Sequence, residues 1–175
     1  MKKLIILAIV LFTGAATYAQ SNALKINLLS PIVKTFNFQF ERVISETGSL
    51  QIGFFYTGYS PEGISFNGFG VTPEYRVYLG DDAAPDGFFV APFFRYQTFN
   101  MKDADSGDEG TFSSLGGGVI VGRQWIFKEV VTFEAFLGPK YSSGNVEVTS
   151  GTDTFDTGVF DGFGLRAGIT LGFAF

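Results

Sequence analysis

The chain contains no cysteine and no histidine in its 175 residues, only two methionines and a single tryptophan. Without cysteine there is no disulfide, no thiolate metal site and no cysteine nucleophile. Without histidine the commonest general base and the commonest transition-metal ligand are missing, and with them the Ser-His arrangement of secreted hydrolases. Serines such as Ser113 and Ser114 therefore have no evident base, and we expect neither an enzyme nor a cofactor. Basic residues are also scarce, 12 against 17 acidic ones, for a net charge of -5. Phosphate binding needs clustered Lys and Arg, so nucleic acid is not expected as a partner. Beyond the N-terminal segment no apolar run approaches the roughly 20 residues of a membrane helix, so a chain of this kind crosses a bilayer only as strands.

What is abundant is phenylalanine, 22 residues, and glycine, 23. Together they suit a small barrel, with rings facing lipid and glycines where the inside is crowded. The N-terminus carries Lys2 and Lys3, the short apolar run Leu4 to Phe12, and small residues around Thr17-Tyr18-Ala19. This is the layout of a secretory signal peptide. Residues 1–19 are set aside as such, and 20–175 are read as one domain, made more acidic by the loss of two lysines.

The last fourteen residues, Gly162 to Phe175, alternate strictly. Phe163, Leu165, Ala167, Ile169, Leu171, Phe173 and Phe175 share one face; Gly162, Gly164, Arg166, Gly168, Thr170, Gly172 and Ala174 share the other. The same period of two recurs in Ala23–Leu29, Thr35–Val43, Leu50–Thr57, Phe69–Tyr78, Phe88–Phe99, Phe112–Phe127 and Val131–Tyr141. Period two is the primary signal of a strand with two different faces. The reading is all-β, an eight-stranded antiparallel up-and-down transmembrane β-barrel. The longer connections, Tyr59–Gly68, Met101–Gly110 and Gly144–Asp161, alternate with short ones, as outward loops and inner turns do in such barrels; the exceptions are Ser30–Lys34, short for an outward loop, and Gly80–Asp86, moderately long for an inner turn.

Three features are awkward. Pro73, Pro92 and Pro139 fall on the apolar faces and each removes a ladder donor, so bulges or lost hydrogen bonds are expected there. Arg123 shares the apolar face of the sixth segment with Val119, Val121 and Trp125. Either a bulge resets the alternation, or the side chain snorkels to the membrane edge beside Trp125. Phe55 lies on the otherwise polar face of the third segment.

The whole mature chain resembles the small eight-stranded outer-membrane barrels, a family that includes outer membrane protein X and the transmembrane domain of outer membrane protein A. It is similar more specifically to the short barrel proteins of unknown function common in Bacteroidota. Lys25–Pro31 (KINLLSP), Gly68–Tyr78 (GFGVTPEYRVY) and Gly162–Phe175 carry the likeness. The resemblance implies the outer membrane of a Gram-negative envelope and a porin-like fold. Expected partners are outer-membrane lipid and lipopolysaccharide, the barrel-assembly machinery reading the terminal Phe173 and Phe175, and a surface partner on the long loops. No characterised activity comes with it.

An eight-stranded barrel is only wide enough to be filled by side chains. The polar faces place Lys25, Glu41, Glu74, Arg76, Arg95, Glu134, Lys140 and Arg166 in the lumen. A buried unpaired charge costs several kcal/mol, so we expect an ion-pair network, with Glu41, Glu74 and Glu134 serving Arg76, Arg95 and Arg166. Such a network either plugs the barrel or gates a narrow channel for water, ions or small solutes. Asp103, Asp105, Asp108 and Glu109 form an acidic loop without EF-hand spacing; Asp153, Asp156 and Asp161 could join them in loose divalent-cation binding. Alternation alone also allows a soluble lipocalin-like ligand-binding barrel, whose apolar face would point inward.

Overall fold

The computed structural model describes residues 22–59, 64–80, 83–103, 109–150 and 162–175. The expected signal peptide lies outside them, as do Asp105, Asp108, Asp153, Asp156 and Asp161 of the acidic loops. Eight strands run in chain order: β1 (Asn22–Asn27), β2 (Thr35–Ser45), β3 (Gly48–Tyr59), β4 (Ile64–Leu79), β5 (Gly87–Asp103), β6 (Glu109–Phe127), β7 (Val131–Ser150) and β8 (Gly162–Ala174). Each pairs antiparallel with its sequence neighbour, and β1 closes on β8, with Ala23 opposite Ala174 and Asn27 opposite Thr170. Asn22 and Phe175 thus lie together, joined by backbone hydrogen bonds, at one end of the barrel, the terminal end. The connection after β1, with a short 3₁₀ turn at Ser30–Val33, lies at the other, the loop end.

The faces resolve as the alternation requires. Leu24, Phe94, Val121, Leu137, Leu165 and Phe173 stand exposed on the outside, whereas Lys25, Glu41, Gln51, Glu74, Arg76 and Glu134 are buried inside. This is the reverse of a lipocalin, whose apolar face lines the interior.

The prolines break the ladder without moving it. Pro73 pairs with Ile52 on β3, but between β4 and β5 the ladder lapses around Pro73 and Pro92 and resumes in the same register at Glu74–Phe93 and Val77–Val90. Between β6 and β7 it lapses at Pro139 and resumes at Val121–Leu137. Hydrogen bonds are lost and no bulge forms. Nor does a bulge reset β6 at Arg123, which pairs in unbroken register with Phe88 and Ala135. Its guanidinium lies 4.7 Å from the Phe88 ring centroid and 5.3 Å from that of Trp125. The bulge is therefore excluded, and the guanidinium lies beside Trp125 as the other alternative requires.

Two expectations are corrected. Rings do not all face outward: Phe89, Phe93, Phe99, Phe112 and Phe136 are buried in the interior. They fit because glycines lie against them. A Cβ added at Gly122 would stand 2.6 Å from the Phe89 ring, and one at Gly118 would stand 3.1 Å from that of Phe93. At Gly70 the nearest atoms to an added Cβ belong to the Phe55 ring, which explains the exception in β3. Gly70→Val is therefore expected to destabilise by about 1–3 kcal/mol through overpacking. Phe55→Ala in the same chain should recover most of that loss, measured as the urea midpoint in lipid vesicles.

The second correction concerns length. Segments expected to end at Phe99 and Tyr141 continue to Asp103 and Ser150, and those expected to begin at Phe69 and Phe112 begin at Ile64 and Glu109. Much of the expected loops is thus sheet. A barrel strand crosses a membrane in roughly 9–11 residues; β4 to β7 have 16, 17, 19 and 20. The excess at about 3.3 Å per residue extends the sheet by some tens of ångströms on one side of the loop end.

At the terminal end, β6 turns into β7 through Lys128 and Glu129, with φ of 50° and 62°. Two successive positive φ values are the geometry that Asn-Gly prefers in a hairpin. Replacing the pair by Asn-Gly should stabilise the barrel by roughly 1–2 kcal/mol, read as a higher urea midpoint.

Candidate functional site

The interior divides into two halves. The terminal half is filled by charges that neutralise one another. Lys25 Nζ donates to Glu41 Oε2 at 2.6 Å, to Glu134 Oε2 at 2.8 Å and to the Gln124 side-chain oxygen at 2.8 Å. Arg76 grips Glu134 with both terminal nitrogens, at 2.5 and 3.1 Å, and reaches Glu74 at 3.2 Å. Arg166 donates to the other oxygen of Glu74 at 2.5 Å. The Tyr78 hydroxyl donates to Glu41 at 2.6 Å, and Ser49 donates to the same oxygen. Three cations thus meet three carboxylates among fully or nearly fully buried side chains. The cations also face rings: the Arg76 guanidinium is 4.4 Å from the Phe89 centroid, and that of Arg166 is 4.4 Å from Phe93.

Strand alternation brings these groups together from far-apart sequence positions. Lys25 on β1 and Glu134 on β7 lie 109 residues apart, yet both point inward at the same height near the β1–β8 closure. Excellent geometry and multiple hydrogen bonds are what allow buried ions to be tolerated at all.

The network omits two of the expected members. Arg95 meets no carboxylate among the described residues; its Nε donates to the Thr72 hydroxyl at 3.0 Å, and its guanidinium lies 5.5 Å from the Phe55 centroid. Lys140 is likewise outside every ion pair found among the described residues, its side chain lying along Gly164. The expectation that a glutamate serves Arg95 is corrected: Glu74 is already shared by Arg76 and Arg166. The members that residue-by-residue reading passed over, Ser49, Tyr78 and Gln124, all sit at inward positions of the alternation.

Above the network the barrel is not filled. A cavity of about 680 Å³ occupies the loop half of the lumen, with Gln39, Gln97, Arg95, Lys140 and Arg166 among its walls and Phe55, Phe99 and Phe136 beside them. The sequence-level expectation of a fully packed interior holds only for the terminal half.

Beyond the cavity the sheet changes character. Up to Phe69, Tyr96, Leu115 and Tyr141 the outer face is apolar. Past that line the outward positions are Asn67, Asn100, Lys102, Thr111, Ser143 and Asn145. The inner face becomes apolar in exchange, with Phe99, Met101 and Phe112 packed together against Phe55 and Val146. The outer face of this part carries the exposed Lys102–Glu109 ion pair at 2.5 Å. Ser113, one of the serines without an evident base, shares a hydrogen bond with Thr98 at 3.1 Å. Among the described residues no group of acidic side chains could hold a metal ion.

Phe173 and Phe175, the expected assembly signal, point outward at the terminal end with their rings stacked at 5.9 Å.

A family model described as a protein of unknown function (DUF3575) matches residues 4–147. No curated protein matches the chain. Among solved structures, the N-terminal β-barrel domain of Pseudomonas aeruginosa OprF is 14% identical with a TM-score of 0.48; the alignment covers 90% of this chain and 100% of that one. A major outer membrane protein from Thermus thermophilus is 17% identical with a TM-score of 0.45, covering 89% and 100%.

Proposed function

The chain belongs to the DUF3575 family of proteins of unknown function, and from its barrel geometry we propose that it is a non-enzymatic outer-membrane protein that presents a projecting β-sheet at the cell surface. The observation that carries this reading is the inversion of polarity along β4 to β7. An apolar outside around a charged inside suits lipid. A polar outside over an apolar inner cluster suits water. The switch between them, at the line of Phe69, Tyr96, Leu115 and Tyr141, marks where the wall leaves the bilayer, and aromatic residues favour that boundary.

Among the described residues the projecting sheet has an open edge. β7 pairs with β8 only as far as Ser142–Gly162. From Ser143 to Ser150 no described strand accompanies β7 on that side. Unpaired backbone groups along an edge are a template for an added strand. The partner in this reading is an extended segment of another protein, with lipid and lipopolysaccharide surrounding the belt and the assembly machinery acting on the terminal strand. A conducting channel is the weaker reading, because the charges that would have to separate are fully buried and mutually paired.

Photo-crosslinking from Asn145 and Glu147, both exposed on this edge strand, tests the surface role on intact cells. Discrete crosslinked products from these positions, absent when the same probe replaces Leu137 in the apolar belt, are the expected result. Labelling by lipid alone at all three positions would refute it.

A further inference from the structure

β1 is the shortest of the eight strands, and its brevity opens the wall. Its last ladder partner on β8 is Thr170, and the Leu28 amide donates to the Ile169 carbonyl at 2.8 Å. Its last partner on β2 is Phe38. Above this point β8 continues to Gly162 and β2 begins at Thr35, and among the described residues no strand lies between them. The slot is flanked by Ile32, Val33, Phe36, Phe163 and Leu165, all strongly exposed; Phe163 is 89% and Leu165 73% accessible. Leu165 and Ala167 also line the cavity of about 680 Å³, although their side of β8 is the lipid-facing one. The cavity therefore reaches the lipid-facing surface through the slot.

The chemistry of that cavity is one-sided. The six charges of the terminal half balance, which leaves Arg95 and Lys140 as cations on its wall with no ion-pair partner among the described residues. One more donor there lacks a partner although buried: Arg166 Nη1, in a side chain 7% exposed. Buried polar groups in folded proteins are usually satisfied. Here three guanidinium or ammonium groups converge on one space, and aromatic rings line the rest. The volume lies within the range of ligand-binding pockets.

We propose that the cavity holds the anionic head, carboxylate or phosphate, of an acyl lipid that enters from the surrounding leaflet through the slot between β8 and β2. The head accepts hydrogen bonds from Arg95, Lys140 and Arg166. The acyl chain leaves along Leu165 and Ala167 and remains in the bilayer, so only the head is desolvated. This arrangement rests on the membrane placement proposed above, but not on the partner at the β7 edge.

The test uses the full mature protein in phosphatidylcholine nanodiscs. The probes are a long-chain fatty acid with a mid-chain diazirine, the matching alcohol, and a phosphatidic acid carrying the same chain. Adducts are mapped by peptide mass spectrometry. The expected result is labelling concentrated at Val33 and residues 162–168, competed by unlabelled anionic lipid and reduced at least roughly tenfold in R95Q/K140Q. The alcohol should label the belt without preference. Saturation by the fatty acid alone identifies a free carboxylate ligand, and saturation by phosphatidic acid identifies a phospholipid. Asn37→Trp, which fills the cavity without touching the charges, should abolish the site-specific adducts; both variants are checked for a retained gel-mobility shift on heating. Equal labelling by acid and alcohol, or adducts unchanged in both variants, overturns the inference while leaving the barrel in the membrane. Failure to enter nanodiscs as a heat-modifiable barrel overturns the membrane reading and this inference together.

Discussion

Glu134→Ala is expected to destabilise the barrel by about 3–5 kcal/mol, because it strands buried charge rather than merely deleting a contact. Glu134 accepts hydrogen bonds from Lys25 and from both terminal nitrogens of Arg76. Without it three buried cations would share two carboxylates, in a part of the interior where Lys25 and Arg76 are fully buried. The sign of the effect can be separated from simple loss of packing. Lys25→Met combined with Glu134→Gln restores the balance of charge and should recover much of the stability. Lys102→Ala, which breaks the solvent-exposed pair with Glu109 (side chains 62% and 45% exposed), should cost no more than about 1 kcal/mol. Urea unfolding in vesicles, followed by loss of the gel-mobility difference between unboiled and boiled samples, measures all three. A Glu134→Ala barrel as stable as the parent would mean that the network does not hold the terminal half together.

Leu137→Arg is the second large effect, expected at roughly 2–4 kcal/mol. Leu137 points outward and is 52% accessible, in the middle of the apolar belt. In water such a substitution at an exposed position would be close to neutral. In hydrocarbon the guanidinium must thin the bilayer or snorkel out of it. Asn145→Arg, on the same face of β7 but beyond the polarity inversion, should have almost no effect. The contrast between two outward positions of one strand therefore reads the location of the membrane boundary directly. Similar small effects at both positions would place both in water.

Much of this was legible in the sequence. Strict alternation located all eight strands and put Lys25, Glu41, Glu74, Arg76, Glu134 and Arg166 on inward faces, where the ion pairs form. Three things were not legible, each for a physical reason. Which carboxylate meets which cation depends on the stagger of strands around the closed barrel, which no local pattern encodes; hence the glutamate expected beside Arg95 is not found among the described residues. That the rings of Phe89, Phe93 and Phe136 pack inward does not follow from the general expectation that rings face lipid. Their odd or even position in the alternation, and the glycines at 118, 122 and 168 that lie against them, were the available signal. The full extent of the projecting sheet was not legible, although the fifth and sixth segments, Phe88–Phe99 and Phe112–Phe127, already exceed the roughly 9–11 residues of a membrane strand, because the alternation continues with the faces exchanged. Asn100 and Lys102 point outward while Phe99 and Met101 point inward, so the stretch reads as a polar loop if one expects apolar residues outside.

Whether a closed barrel crosses the outer membrane is decided by the gel mobility of the native protein after fractionation of the cell envelope. The protein is expected in the outer-membrane fraction, with unboiled samples migrating faster than boiled ones, as a closed barrel that resists detergent unfolding does. Recovery as a soluble periplasmic protein with a single mobility before and after boiling would contradict it.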